Sequence, residues 1–184
     1  MGLFDRMKKS AEPADEYASL GLPASVLEYV KMGDERLKNG ETYDAIKAYF
    51  MADMYCKHNL VIARRFARTI LSYEEDPTYP NSAFDYLGEV YDYHTVEELT
   101  GEDFELMAKA LYRQIVVGKD GDRDKRLAPY GFTTAGYLAK CIDDARYLGV
   151  DVPEFKEMEQ AVAKGTEKAK EEAKQNSSFF NRKK

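Results

Sequence analysis

The clearest pattern of apolar and polar residues lies between Tyr29 and Ala52. Apolar residues recur there at the three- and four-residue spacing of amphipathic helices, on both sides of a short polar turn. Gly40 ends the first helix, because glycine readily adopts the left-handed conformation that closes a helix. Thr42 follows as a candidate N-cap of the second helix. The pattern predicts two helices packed across a tight turn, with Gly33 letting the backbones approach and Tyr49 filling the space beside it.

A second helical stretch, from residue 59 to residue 73, has an arginine-rich side. Its apolar stripe comprises Ile62, Phe66, Ile70 and Tyr73. Arg64, Arg65 and Arg68 project together from another side, and the helix has no acidic residue to balance them. The stretch therefore predicts a helix that carries a basic patch.

The first pattern recurs from Asn81, with a longer connector between its two helices. The recurring positions are Phe84, Leu87, Gly88 and Tyr91, and then Ala108 and Tyr112. Thr100 and Asp103 resemble a capping box that begins the helix after the connector. A third pair opens at Ala135, and its last helix becomes charged and runs to about Lys174. Repeats of this kind bury their apolar faces by stacking on one another.

The residues of the first pair resemble the tetratricopeptide repeat. The positions that carry the resemblance are Tyr29, Met32, Gly33, Gly40, Ala45, Tyr49 and Ala52. The longer second unit is similar to the Sel-one-like subclass of the same superfamily, through AFDYLGEVY followed by Asp103, Ala108, Tyr112 and Gly118. The resemblance implies an all-α fold, a short α-solenoid of about three antiparallel helix pairs with one extra helix.

We expect three segments along the chain. Residues 1–23 form an N-terminal amphipathic segment with a short helix, residues 24–175 form the tetratricopeptide-like helical repeat domain, and residues 176–184 form a flexible basic tail. The pairing of helices around residues 59–80 stays open, because the arginine-bearing helix can either bridge two repeats or open one.

Charge and composition exclude several classes of function. The net charge of -6 and the pI near 5.1 argue against general nucleic-acid binding, which needs a basic surface. No apolar run approaches the roughly 20 residues that cross a bilayer, so we expect no stable membrane insertion. Cys56 and Cys141 lie far apart in apolar helical stripes, which predicts two buried thiols in a reducing compartment. These features together predict an acidic, cytoplasmic protein.

No residue pattern points to catalysis or to a metal site. The two histidines, His58 and His94, lie outside the HExxH and paired CxxC arrangements that bind zinc. The acidic loop at 119–130 has Lys125 and Gly131 where a calcium-binding EF-hand needs Gly and Glu. We therefore expect no enzymatic activity, no catalytic residue, no metal and no cofactor.

The resemblance also implies a binding groove, because the first helix of each tetratricopeptide repeat lines a concave surface. Matched spacing assigns to that groove Leu27, Val30, Asp34, Leu37, Asp85, Glu89, Asp92 and Tyr93. These residues combine an apolar edge with acidic side chains. We therefore expect a non-enzymatic protein–protein interaction module (an adapter, chaperone or assembly factor) that binds a basic, partly apolar segment.

Two other functions remain open at this point. One is a small-ligand sensor or enzyme with an inter-helix pocket lined by some of the 14 tyrosines. The other is an acidic inhibitor or immunity-type protein that neutralises a basic partner. The patch of Arg64, Arg65 and Arg68 is a secondary candidate surface. The tail FFNRKK, aromatic and then basic, is suited to the acidic groove of its own or a neighbouring molecule, which predicts weak self-association.

Overall fold

The computed structural model describes residues 17–73, 79–118, 125 and 127–165, and these form helices and turns without a strand. The protein is all-α, as the sequence predicts. The helices are α1 (Ala24–Lys38), α2 (Thr42–Tyr55), α3 (Leu60–Ser72), α4 (Tyr79–Tyr91), α5 (Gly101–Val116), α6 (Thr134–Tyr147) and α7 (residues 155–165). Short 3₁₀ turns occupy Ala18–Leu20, Val96–Glu98 and Ala128–Tyr130. The predicted amphipathic segment up to residue 16, most of the acidic loop and the basic tail lie outside the described residues.

The helices form two layers. Each helix from α1 to α5 packs on the next along the chain, and α3 also contacts α5 directly. Arg65 on α3 forms an ion pair with Asp34 on α1, at 3.5 Å. Tyr112 on α5 donates a hydrogen bond to Glu157 on α7, at 2.6 Å. Helices α1, α3, α5 and α7 therefore lie side by side in a first layer.

Helices α2, α4 and α6 form the second layer. The hydroxyl of Tyr86 on α4 donates a hydrogen bond to Asp53 on α2, at 2.8 Å. The sequence pattern instead takes α4 as the first helix of a repeat, because Leu87 and Gly88 repeat the spacing of the first unit. In the structure α4 instead shares a layer with α2, the second helix of the first pair, and α3 shares a layer with α1.

Two of the predicted helix ends are confirmed and one is wrong. Gly40 adopts φ +77°, the left-handed conformation expected after α1. Thr100 and Asp103 form the predicted capping box of α5, with both reciprocal hydrogen bonds present. Thr42, however, is the first helical residue of α2 rather than its N-cap, and Glu41 precedes it without a capping hydrogen bond from its side chain.

The close contact between α1 and α2 is the one that the sequence predicts. A Cβ atom placed on Gly33 would lie 2.6 Å from the ring of Tyr49. The Tyr49 ring is fully buried and its hydroxyl donates a hydrogen bond to Asp34. Glycine at this position therefore lets α1 rest directly on the buried aromatic ring.

The two cysteines have different environments. Both are free thiols, and Cys141 on α6 is buried as predicted. Cys56, directly after α2, is only half-buried, which corrects the prediction of two buried thiols. Burial raises the pKa of Cys141 to about 12. The thiolate that reacts with disulfide reagents is therefore scarce at Cys141.

We expect a thiol reagent such as dithionitrobenzoate to label one cysteine in the native protein and two in denaturant. Cys56 reacts first because it is accessible, whereas Cys141 needs an opening of the fold. The Cys56→Ser variant should lose the fast phase, and the Cys141→Ser variant should keep it. Equal labelling rates at the two positions would contradict the difference in burial.

Candidate functional site

The first layer is held together by a buried ion pair between α3 and α5. Arg64 donates from Nε and Nη2 to the two carboxylate oxygens of Asp103, at 2.9 and 2.7 Å. Asp103 is fully buried and Arg64 is about one-fifth exposed. A two-pronged pair of this kind fixes both the position and the plane of the guanidinium.

Asp103 also accepts hydrogen bonds from the N-cap residue of its own helix and from α4. The backbone N–H and the hydroxyl of Thr100 donate to it at 2.8 and 2.9 Å, and the hydroxyl of Tyr91 donates at 3.2 Å. Burial opposes ionisation of Asp103, but the hydrogen bonds from Arg64 and Thr100 outweigh burial and hold the pKa of Asp103 below its usual range. The carboxylate is therefore charged at neutral pH and joins α3, α4 and α5.

A second polar cluster joins α1, α2 and α3. Asp34 accepts a hydrogen bond from the hydroxyl of Tyr49 and lies 3.5 Å from Nε of Arg65. Burial, and then the hydrogen bond to Asp34, raises the pKa of Tyr49, so its hydroxyl remains a protonated donor. The two clusters hold Arg64 and Arg65 in place on one side of α3.

These arginines face a cavity of about 660 Å³ in the first layer, which we name the arginine cavity. Its lining comprises Tyr17, Leu20, Asp34, Leu37, Lys38, Tyr49, Val61, Arg64, Arg65, Arg68, Thr69, Ser72 and Glu102. A neighbouring cavity of about 540 Å³ shares Arg68, Ser72 and Glu102 with it and continues between α5 and α7. That second cavity mixes cationic side chains such as Lys109 with acidic ones such as Glu157.

The second layer carries a different depression, which we name the α2–α4 groove. It has a volume of about 460 Å³ and is lined by Phe50, Asp53, Met54, Lys57, His58, Phe66, Ile70, Tyr86, Glu89 and Val90. Phe66 packs against Phe50 with ring centroids 6.4 Å apart, and edge-on against Tyr86 at 4.9 Å. Phe50 and Met54 nevertheless remain 51% and 54% exposed. The groove therefore has a solvent-exposed apolar wall, two carboxylates and one cationic side chain, Lys57.

The structure separates the residues that the sequence assigns to a single groove. Asp34 and Leu37 line the arginine cavity, together with Arg64, Arg65 and Arg68 of the predicted basic patch. Leu27 is half-buried on α1. Val30 is fully buried in the core, so it cannot contact a partner. Of the four residues assigned from the first repeat, Asp34 and Leu37 thus line a surface that is basic rather than acidic, and the other two do not line it.

The groove residues assigned from the second repeat are on the second layer, on α4 or just after it. Glu89 lines the α2–α4 groove, and Asp85 and Asp92 are exposed at the same helix and just beyond its end. Tyr93 is 67% exposed and stacks on His58, with ring centroids 3.7 Å apart. The residues assigned from the two repeats do not meet, because α1 and α4 belong to different layers.

Glu89 is the one lining residue of the α2–α4 groove that the sequence assigns to a binding surface, and the exposed apolar pair Phe50 and Met54 is among those that it misses. They lie four residues apart on α2, away from the inward stripe of Ala45, Tyr49 and Ala52. A second apolar stripe on an otherwise satisfied amphipathic helix is a signal of a contact surface. That signal is visible in the sequence once the inward stripe is assigned.

The described residues hold no cluster of three or more histidine, cysteine or carboxylate side chains placed to bind a metal ion. None of the helices in that part of the chain is long and apolar enough to span a membrane.

Fold and surface define a class of protein: an all-α chain of consecutively packed helices in two layers, with a basic cavity on one layer and an apolar, acid-bearing groove on the other. No protein-family model, curated protein or solved structure matches the chain. The resemblance to tetratricopeptide repeats stays a prediction from the sequence.

Proposed function

We propose that this protein is a non-enzymatic interaction module, and that its α2–α4 groove binds a basic, partly apolar segment of another protein. The observation that carries the proposal is the exposed apolar wall of Phe50 and Met54 beside buried Phe66. Exposed apolar residues are ordinary when scattered singly, whereas a contiguous apolar patch with a polar rim is typical of an interaction site.

The groove offers apolar anchoring at its floor. Phe66, Ile70 and Val90 are buried, while Phe50 and Met54 form the side that solvent reaches. A volume of about 460 Å³ accommodates one or two large side chains of a partner. Methionine adapts its shape to different apolar partners because its side chain is unbranched and flexible. Apolar side chains of the bound segment would supply most of the affinity here.

The acidic residues in and beside the α2–α4 groove favour basic partners over acidic ones. Asp53 and Glu89 line the groove, and Asp85 and Asp92 extend the acidic surface along α4 and beyond. The hydrogen bond from Tyr86 holds Asp53 in place, and burial followed by the charge of Asp53 raises the pKa of Tyr86, which stays a neutral donor. Lysine and arginine of the partner would pair with these carboxylates at the rim, which favours fast and selective association.

The two unpaired thiols are compatible with a reducing compartment, so we also propose a cytoplasmic location. The basic tail, residues 176–184, has the aromatic and basic composition that we expect of a ligand for this groove. A peptide of this sequence is therefore a first probe of the binding chemistry.

Selection of displayed 12-residue peptides tests the proposal. We expect the full chain to enrich peptides that carry apolar or aromatic residues next to lysine or arginine. The Phe50→Ser/Met54→Ser variant should weaken binding of the enriched peptides by about tenfold or more, because the anchors lose their apolar contacts. The Asp85→Lys/Glu89→Lys/Asp92→Lys variant should also weaken binding, and fluorescence anisotropy at several salt concentrations should show a smaller salt dependence.

Matched controls lie on α6. Tyr147 is 89% exposed outside the groove, and Asp143 is an exposed carboxylate on the same helix. Tyr147→Ser and Asp143→Lys should leave peptide affinity unchanged. Enrichment of acidic peptides, or equal binding by the groove variants and the controls, would count against the proposal.

A further inference from the structure

The arginine cavity is cationic in a chain whose net charge is -6. Four cationic side chains line it, Lys38, Arg64, Arg65 and Arg68, against the two carboxylates of Asp34 and Glu102. Concave sites that gather one sign of charge concentrate ligands of the opposite sign. Asp103, the buried partner of Arg64, brings the carboxylates around these four cations to three, so the cavity favours an anion.

The guanidinium groups are positioned before any ligand arrives. Arg64 uses Nε and Nη2 for Asp103, so Nη1 lies outside that pair of hydrogen bonds. Arg65 is held by Asp34 and by the carbonyl oxygen of Val61, at 3.4 Å from Nη1. Both arginine side chains are 21% exposed. A fixed, partly desolvated guanidinium binds an oxyanion at a smaller entropic cost than a mobile surface arginine.

The rest of the lining suits an apolar group next to the anion. Leu20, Leu37 and Val61 contribute aliphatic surface, and Tyr17 contributes an aromatic ring. Thr69 and Ser72 donate their hydroxyl hydrogens to backbone carbonyls of α3, which leaves their oxygens as acceptors. Small-molecule sites typically combine a mainly apolar lining with a few placed polar groups, in volumes of roughly 300–1,000 Å³. The cavity, at about 660 Å³, has that size and composition.

We propose that the arginine cavity binds an organic phosphate, that is, a phosphate dianion carried on an aromatic or aliphatic group. Guanidinium groups pair with phosphate oxygens through parallel hydrogen bonds, and the cavity presents three of them. The site is independent of the α2–α4 groove, because it lies on the other layer and shares no residue with that groove. The proposed interaction module thus has a second binding site, which takes a small molecule and is separate from the groove for its protein partner.

Isothermal titration calorimetry of the full chain with phenyl phosphate tests the proposal, with inorganic phosphate and phenol as comparators. Phenyl phosphate should bind more tightly than either comparator, since only it fills both the cationic and the apolar parts. Its affinity should fall as sodium chloride is raised, because the charges are screened. The Lys38→Gln/Arg68→Gln variant should bind at least tenfold more weakly, and it keeps Arg64 and Arg65 with their structural partners.

Lys140→Gln is the matched control, because Lys140 is an exposed cation paired with Asp144 on α6, in the other layer. It should bind phenyl phosphate like the unaltered chain, and thermal melting should show both variants folded. Amide NMR shifts on titration should cluster on α1 and α3. No binding at millimolar phenyl phosphate, binding that the double variant retains, or phenol binding as tightly as phenyl phosphate would each overturn the proposal.

Discussion

The Asp103→Asn variant should lower the free energy of unfolding by about 3–5 kcal/mol. Asparagine keeps the size of the side chain and one acceptor for the N-terminus of α5, but it removes the charge that Arg64 faces. Removing one partner of a buried pair leaves the other charge without compensation in a poorly solvated position. Since small domains have stabilities of about 5–15 kcal/mol, chemical denaturation should show a large shift of the midpoint.

The neighbouring residue provides the control for this prediction. Glu102 forms the other ion pair between α5 and α3, with Arg68, but both side chains are more than one-third exposed, at 36% and 60%. Glu102→Gln should therefore change stability by less than about 1 kcal/mol. Equal effects of the two substitutions would contradict the central role of the buried pair.

The pH dependence of the same pair has a defined sign. The folded-state pKa of Asp103 lies below its unfolded value of about 3.9, so the stability it contributes is present above that pH and is lost as pH falls through the folded pKa. The stability gap between the unaltered protein and Asp103→Asn should be constant near neutral pH and should narrow below about pH 4. A gap that stays constant into acid would show that the charge of Asp103 does not carry the effect.

Two helical glycines should respond to alanine with opposite signs. Gly33→Ala should destabilise the protein by about 1–3 kcal/mol, because its Cβ would meet the Tyr49 ring at 2.6 Å. The ring cannot move aside easily, since it is fully buried and bonded to Asp34. This clash outweighs the gain of about 1 kcal/mol that alanine brings to a helix interior.

Gly88 on α4 is the matched position, because it also follows a large apolar residue, Leu87. A Cβ there would meet no atom within 4 Å. Gly88→Ala should therefore stabilise the protein by up to about 1 kcal/mol. Thermal and denaturant unfolding of the two variants would test the difference, and a stabilised Gly33→Ala variant would disprove the close contact between α1 and α2.

Much of the local structure could be predicted from the sequence, because it depends on neighbours along the chain. The α1–α2 pair follows from the spacing of apolar residues and from Gly40, and the start of α5 follows from the three-residue spacing of Thr100 and Asp103. Thr42 shows the limit of such reasoning: the residue type suits an N-cap, but the chain enters α2 one residue earlier.

The candidate site could be predicted only in part. Glu89 and the three arginines line surface cavities, whereas Val30, assigned to the same groove as Glu89, is a core residue. A pattern of apolar positions shows that a residue shares a helix face with others, but it does not show which neighbouring helix covers that face. Phe50 and Met54 lie off the inward stripe of α2 in the sequence, but only the structure shows that no helix in the described part of the chain covers them.

The sequence by itself determined that the chain is all-α, where most of its helices lie, and which glycine lets α1 and α2 approach. These properties follow from helical periodicity, turn conformation and side-chain volume, all of which act over a few residues. Only the tertiary structure decided that α3 lies in the layer of α1, that α1 and α4 lie in different layers, and that Arg64 meets Asp103. These contacts join residues far apart in sequence, so helical periodicity, which acts over a few residues, does not specify them.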